Sequence, residues 1–152
     1  MNSKDLIVKK ITFPEIKNYW IEVDHFKEPN KKVIEVITSL GHLKNTLEQP
    51  RRQSYGLFLR ERLIGVTKLV EWENEFVRYR TLNIRKEFRG SDLGWSLLME
   101  AYSDGWQQRN LFGWVRRSHY DWSRSKGFVE LDGIWNEDHI AMVLKKENII
   151  KK

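Results

Sequence analysis

Three cations and a glycine fall within the stretch Arg85-Lys86-Glu87-Phe88-Arg89-Gly90, between an apolar run ending at Ile84 and a leucine-spaced segment starting at Leu93. Each part has a reason to be there if the stretch holds a phosphate. A helix beginning after such a loop presents unpaired backbone N–H groups and about half a positive charge at its first turn. Arg85, Lys86 and Arg89 add full charges, and Gly90 lets the backbone approach an oxyanion closely. One glycine and three basic residues also describe an ordinary surface turn. The loop alone leaves both readings open.

The elements around it narrow the choice. Leu6 to Phe13 reads as an opening strand, and Pro14 suits the first turn of a helix, where its missing N–H costs nothing. Ile16, Tyr19, Trp20 and Val23 recur there at helical spacing. A second helical region runs from about Lys31 to Gln49, with Val33, Ile37, Leu40, Leu43 and Leu47 on one side and Gly41 as a possible break. From Ser54 the period becomes that of strands. Tyr55–Leu59 and Leu63–Val70 are separated only by Arg60-Glu61-Arg62, so they pair as an antiparallel hairpin. Phe76–Ile84 follows the polar turn Glu73-Asn74-Glu75, which extends the hairpin to a three-strand meander over Ser54–Ile84.

Beyond the basic loop, Leu93, Leu97, Leu98, Ala101 and Gly105 mark the buried stripe of a helix ending near Arg109. Leu111–Val115 is a strand, Ser118–Ser125 a helical piece, and Val129–Trp135 and His139–Leu144 two closing strands. The order β-α-α-β-β-β-α-β-α-β-β predicts a mixed sheet in an α/β or α+β domain.

Composition excludes several classes. Apolar residues at 40% with charged residues at 32% suit a globular protein and not a disordered one. The 152 residues fit one domain, 1–152. Without cysteine there is neither a disulfide framework nor a Cys-based metal site, and His25, His42 and His139 lack metal-ligand spacing. His119 reads as a surface histidine. Met1 to Lys10 lacks the apolar run of a signal peptide, and no apolar stretch approaches the roughly 18 residues of a membrane span. A soluble cytoplasmic protein without a membrane partner is expected. The oligomeric state, monomer or homodimer, stays open.

The net charge of +6, from 27 Lys and Arg against 21 Asp and Glu, draws anions. Nucleic acid is one candidate, through Arg51, Arg52, Arg78, Arg80, Arg116 and Arg117, and the least favoured one, because no recognised binding motif accompanies them. Lys145, Lys146, Lys151 and Lys152 read as a solvated tail.

In this context Leu82-Asn83-Ile84-Arg85-Lys86-Glu87-Phe88-Arg89-Gly90-Ser91-Asp92-Leu93-Gly94-Trp95-Ser96-Leu97-Leu98 resembles the pyrophosphate-binding stretch of the GNAT-type N-acetyltransferase superfamily. That stretch has the form (Arg/Gln)-x-x-Gly-x-(Gly/Ala) after a strand, followed by paired leucines. Arg89 takes the first position and Gly94 the last. Ser125-Lys126-Gly127-Phe128 matches the family's Gly-Phe at the end of its last helix. The likeness spans roughly Ser54 to Leu144.

The resemblance implies a GNAT-like mixed, mostly antiparallel central sheet of about six to seven strands flanked by helices, forming one acyl-CoA-binding domain. It implies acetyl-CoA as cosubstrate, no metal, and transfer of acetyl to a primary amine of an unidentified small molecule, peptide or protein. Leu82, Asn83 and Ile84 would face the pantetheine. Arg89, Gly90, Ser91, Asp92, Leu93 and Gly94 would cradle the pyrophosphate.

Two residues depart from the family pattern. Asp92 stands where glycine is preferred, and a carboxylate beside a pyrophosphate repels it. The favoured reading is that Ser91 or Asp92 caps the following helix, with its side chain turned from the ligand. Ser123 stands where many members have a tyrosine that protonates the departing thiolate, and its hydroxyl is a poorer acid than a phenol of pKa about 10. Tyr120, one turn earlier on roughly the same face, could substitute, or could simply pack the helix onto the sheet.

For the base, Glu71 and Glu73 stand where a carboxylate could take the amine's proton, although turn carboxylates usually meet only solvent. Trp72 and Trp135 could line an acceptor pocket or belong to the core. The main alternative to an enzyme is a catalytically silent CoA-binding module.

Overall fold

The alternation that begins near Ser54 does build strands. A computed structural model of the chain describes residues 5–23, 45, 47–73, 75–135 and 137–149. In chain order it contains β1 (Leu6–Lys10), α1 (Phe13–Glu22), β2 (Arg52–Leu59), β3 (Arg62–Trp72), β4 (Phe76–Ile84), α2 (Leu93–Tyr102), β5 (Asn110–Arg116), α3 (Tyr120–Ser125), β6 (Val129–Trp135) and β7 (His139–Leu144). Hydrogen bonding joins the strands in the order β1-β2-β3-β4-β5-β7-β6.

The sheet is mixed, as expected. β1 with β2, β5 with β7 and β6 with β7 run antiparallel, whereas β4 and β5 run parallel. Only Arg60 and Glu61 separate β2 from β3, and only residues 73–75 separate β3 from β4. Parallel neighbours would need a crossover of roughly a dozen residues, so these three strands form the antiparallel meander. Arg60 and Glu75 turn the corners at φ of 56° and 63°.

Two boundaries differ from the sequence reading. The opening strand stops at Lys10, because Thr12 and Glu15 form a capping box that starts α1 at Phe13. The Thr12 N–H and hydroxyl each donate to Glu15 Oε1 at 3.0 Å. The helix after the basic loop ends at Tyr102, short of Arg109, and Gly105 then takes a φ of 83°. The expected helix over 31–49 lies outside the described residues, apart from 45 and 47–49, which are not helical.

The chain divides into two compact units, one of residues 1–28, 51–69 and 79–105 and the other of 29–50, 70–78 and 106–152. In the first, Ile11 and Tyr19 pack with Phe58 and Val66. In the second, Val70, Trp72, Phe112, Ala141 and Val143 form the core, with the Trp72 and Phe112 rings edge-on at 5.5 Å. Gly65 in β3 has a steric reason: a Cβ there would stand 2.5 Å from Ile84 Cδ1 and 3.2 Å from the Asn83 carbonyl oxygen.

Candidate functional site

The first unit carries the whole candidate cradle. β4 leads into it with a kink, since Thr81 holds a φ of 53°. A β-branched residue in the left-handed region is strained, by about 1–3 kcal/mol, and persists only where its surroundings impose it. The parallel ladder between β4 and β5 is three pairs long: Phe76 with Asn110, Val77 with Leu111, and Arg78 with Phe112. β4 nevertheless continues to Ile84.

Lys86–Phe88 then make one tight 3-10 turn, with the Phe88 N–H donating to the Arg85 carbonyl at 2.9 Å. Gly90 has a φ of 94°, and a Cβ on it would meet nothing within 4 Å. Arg89, Gly90, Ser91 and Asp92 are exposed, Leu93 is buried, and Gly94 lies against Leu82 and Ile84. A Cβ on Gly94 would sit at ordinary contact distance, 3.7 Å from Ile84 Cγ1, which explains why alanine also suits that position.

The capping expectation needs correction. Asp92 occupies the N-cap position of α2, yet its backbone is left-handed, at φ 62° and ψ 22°, and no side chain caps the helix. A cap needs extended backbone to aim its oxygen at the next N–H groups. The Ser91 hydroxyl turns the other way and donates to the Phe88 carbonyl at 3.4 Å. The left-handed backbone also accounts for the family's glycine at position 92, and aspartate is among the few other residues that adopt it readily.

The three loop cations separate into different roles. The Arg89 Nε donates to the Ile84 carbonyl at 2.8 Å, which folds the side chain over the end of β4 while the residue stays exposed. Lys86 is exposed as well. Arg85 is not a phosphate cation, contrary to the sequence reading. It is buried, and its Nη2 pairs with Glu22 at 2.5 Å. Its Nε donates to the Leu63 carbonyl at 2.7 Å, and its guanidinium lies 5.0 Å over the Tyr19 ring.

Tyr19 itself is almost fully buried and donates from its hydroxyl to Asn83 Oδ1 at 2.8 Å. Burial pushes its pKa up to about 12 against the opposing pull of Arg85. The hydroxyl keeps its proton and fixes the Asn83 amide on β4. Helical spacing picks out Tyr19, but nothing in its local sequence discloses this polar end. Glu15, Asn18, Tyr19, Glu22, Leu63 and Arg85 line much of a cavity of about 410 Å³ beside this network.

The second unit carries the proton-transfer candidates. Glu71 is ion-paired to Arg109, whose Nη2 lies 2.7 Å from Glu71 Oε2. Arg109 Nη1 also donates to the carbonyls of Trp72 and Phe76, at 2.9 and 3.1 Å, so one arginine clamps the β3–β4 turn. Glu73 is half-buried in that turn. The Tyr120 hydroxyl donates to Glu130 Oε1, and this bond above all raises its pKa. Ser123 is fully buried, and its hydroxyl has no hydrogen-bond partner among the described residues.

The Gly-Phe pair has a clear structural basis. Gly127 ends α3 in the left-handed region, at φ 98°, and Phe128 is fully buried, with its N–H donating to the Ser123 carbonyl at 3.1 Å. Of the two tryptophans considered for an acceptor, Trp72 belongs to the core, whereas Trp135 is 61% exposed with the Arg117 guanidinium 5.4 Å over its ring. His119 is exposed. His139 stacks on Trp114 at 5.6 Å, and burial, then Arg116, lowers its pKa. Among the described residues no group of three or more His, Asp or Glu could hold a metal ion. No helix among them is long and apolar enough to cross a membrane.

The sequence matches no protein-family model and no curated protein. The fold has many solved counterparts. The IAA acetyltransferase from Bacillus cereus is 15% identical, covers 92% of this chain and 99% of its own, and superposes with a TM-score of 0.63. A GNAT family acetyltransferase from Elizabethkingia anophelis, solved with acetyl-CoA bound, is 13% identical over 93% of this chain and 98% of its own, with a TM-score of 0.62. The PaiA N-acetyltransferase from Thermoplasma acidophilum, solved with coenzyme A, is 15% identical over 92% and 98%, also at 0.62. With its mixed seven-strand sheet, its strand order and these counterparts across nearly its whole length, the chain has the GNAT acetyltransferase fold.

Proposed function

We propose that residues 1–152 act as one acyl-CoA-binding domain that transfers the acetyl group of acetyl-CoA to a primary amine. The observation that carries this reading is the start of α2. Two left-handed residues, Gly90 and Asp92, lead into a ten-residue helix that no side chain caps. Its first N–H groups and the positive end of its dipole suit a pyrophosphate, beside the exposed cations Lys86 and Arg89. Leu82, Asn83 and Ile84 would meet the pantetheine. Two structural counterparts, solved with acetyl-CoA and with coenzyme A, support the choice of ligand.

In the proposed reaction the amine nitrogen attacks the thioester carbonyl carbon. The C–S bond breaks, the amine loses one proton, and the departing thiolate gains one. Positioning of the thioester and polarisation of its carbonyl by a backbone N–H supply much of the rate. The base role rests with Glu71 or Glu73, and the acid role with Tyr120 in preference to the buried Ser123. The second reading, a silent CoA-binding module, draws on one specific observation: the Tyr120 proton is already engaged by Glu130.

Calorimetric titration with acetyl-CoA and CoA, followed by a screen of amine acceptors, tests both. Binding is expected in the micromolar range usual for enzyme substrates, roughly 1 μM to 1 mM. No binding would end both readings, and binding without turnover on any amine would leave the silent module. With a working acceptor, Tyr120→Phe is expected to lower kcat by roughly 10²-fold or more, the usual contribution of a general acid. Ser123→Ala should leave kcat near that of the native protein.

A further inference from the structure

Arg52, Lys68 and Arg80 stand on three neighbouring strands, β2, β3 and β4, with Lys68 on the middle one. The Thr67 hydroxyl donates to the Arg80 carbonyl at 3.4 Å, which ties the Arg80 backbone to the residue next to Lys68 across the β3–β4 pair. Lys68 and Arg80 are half-buried and Arg52 is exposed. None of the ion pairs among the described residues includes any of the three. Burial first, then Arg80 and Arg52, lowers the pKa of Lys68, and burial and Arg52 lower that of Arg80. No carboxylate offsets either shift.

Like charges placed across a sheet destabilise it, and partly buried ones do so more. The chain nevertheless places three on adjacent strands, with Arg80 directly before the strained backbone of Thr81. The exposed loop cations lie elsewhere along the chain, at 86 and 89. A guanidinium supplies a planar fork of donors for a carboxylate or phosphate, and an ammonium supplies a point charge beside it.

We propose that Arg52, Lys68 and Arg80 form an anion site that holds a carboxylate or phosphate group of the acceptor, so that the accepted amine belongs to an acidic molecule. This rests on the acetyl-transfer reading for the acceptor's identity, and on the cluster alone for the anion.

The test uses the full chain and has two arms. In the first, calorimetry with glutarate as the anion probe is expected to show binding that Lys68→Gln weakens about tenfold or more, the scale of one lost charge-assisted contact. Lys17→Gln, at an exposed lysine of α1, should leave it unchanged. Arg80→Gln repeats the arm if the Lys68 variant does not fold. In the second, β-alanine is expected to have a higher kcat/KM than its uncharged amide, and Lys68→Gln should remove that preference. Glutarate affinity equal in native and variant proteins, or equal kcat/KM for β-alanine and its amide, overturns the assignment. The glutarate arm needs no acetyl transfer and decides the anion site by itself if no turnover is found. Acetyl-CoA titration separately decides the reading on which the acceptor depends.

Discussion

Arg89→Glu is expected to weaken acetyl-CoA binding by about 100-fold. Charge-assisted hydrogen bonds contribute about 1.5–3 kcal/mol each, and reversing the charge replaces attraction by repulsion at the same place. The effect should shrink as salt screens the charges, over a Debye length of about 10 Å at 0.1 M. Stability should change far less, by about 1 kcal/mol, because the folded protein loses only the bond from Arg89 Nε to the Ile84 carbonyl at an exposed residue. Calorimetry with acetyl-CoA and chemical denaturation read the two quantities separately. An affinity within about threefold of the native value would show the loop to be an ordinary turn.

Arg85→Met is expected to give the opposite pattern, although Arg85 lies only four residues away. Its guanidinium is nearly buried and serves Glu22, the Leu63 carbonyl and the Tyr19 ring together. Removing it leaves a carbonyl without its donor and an acid without its cation, while methionine keeps much of the packing of the stem. Glu22 is 58% exposed and water can take over its charge, so the loss should be about 2 kcal/mol and not the larger value of a fully buried pair. Acetyl-CoA affinity should stay within about threefold, since the donors proposed to face the phosphates belong to other residues. If Arg85→Met instead reduced acetyl-CoA affinity as strongly as Arg89→Glu while the fold stayed intact, the assignment of Arg85 to the interior would be wrong.

These two arginines show what the sequence disclosed. Alternation over 55–84 and the leucine spacing after Leu93 are periodic signals set by which face is buried, so strands and helix could be placed from them. The Gly-Phe pair and Gly90 were legible because their backbones need what those residues supply. What Arg85 and Arg89 do was not legible, because adjacent positions of one loop point in different directions and sequence gives no side-chain direction outside regular elements. The same limit holds for Asp92: a capping residue type says nothing about whether its φ permits capping. Glu71 looked like a free carboxylate at a turn, and its partner Arg109 lies 38 residues on. Tyr19 was readable as a packed ring but not as a proton donor to Asn83, 64 residues later.

The short parallel ladder has a consequence for time as well as for shape. Successive amides of a strand point to opposite neighbours. The ladder that β4 shares with β5 ends at the Arg78–Phe112 pair. One continuous strand is therefore expected to contain amide hydrogens of two lifetimes, with the fast ones within Arg80–Ile84 and the slow ones around Val77. Such exchange reports local opening and not global unfolding, so this half of β4 can be labile in a protein whose core is secure. A pantetheine arm lying along Leu82–Ile84 would take up those amides and slow them selectively, which makes deuterium uptake in a single peptide a clock for occupancy that needs neither an acceptor nor turnover.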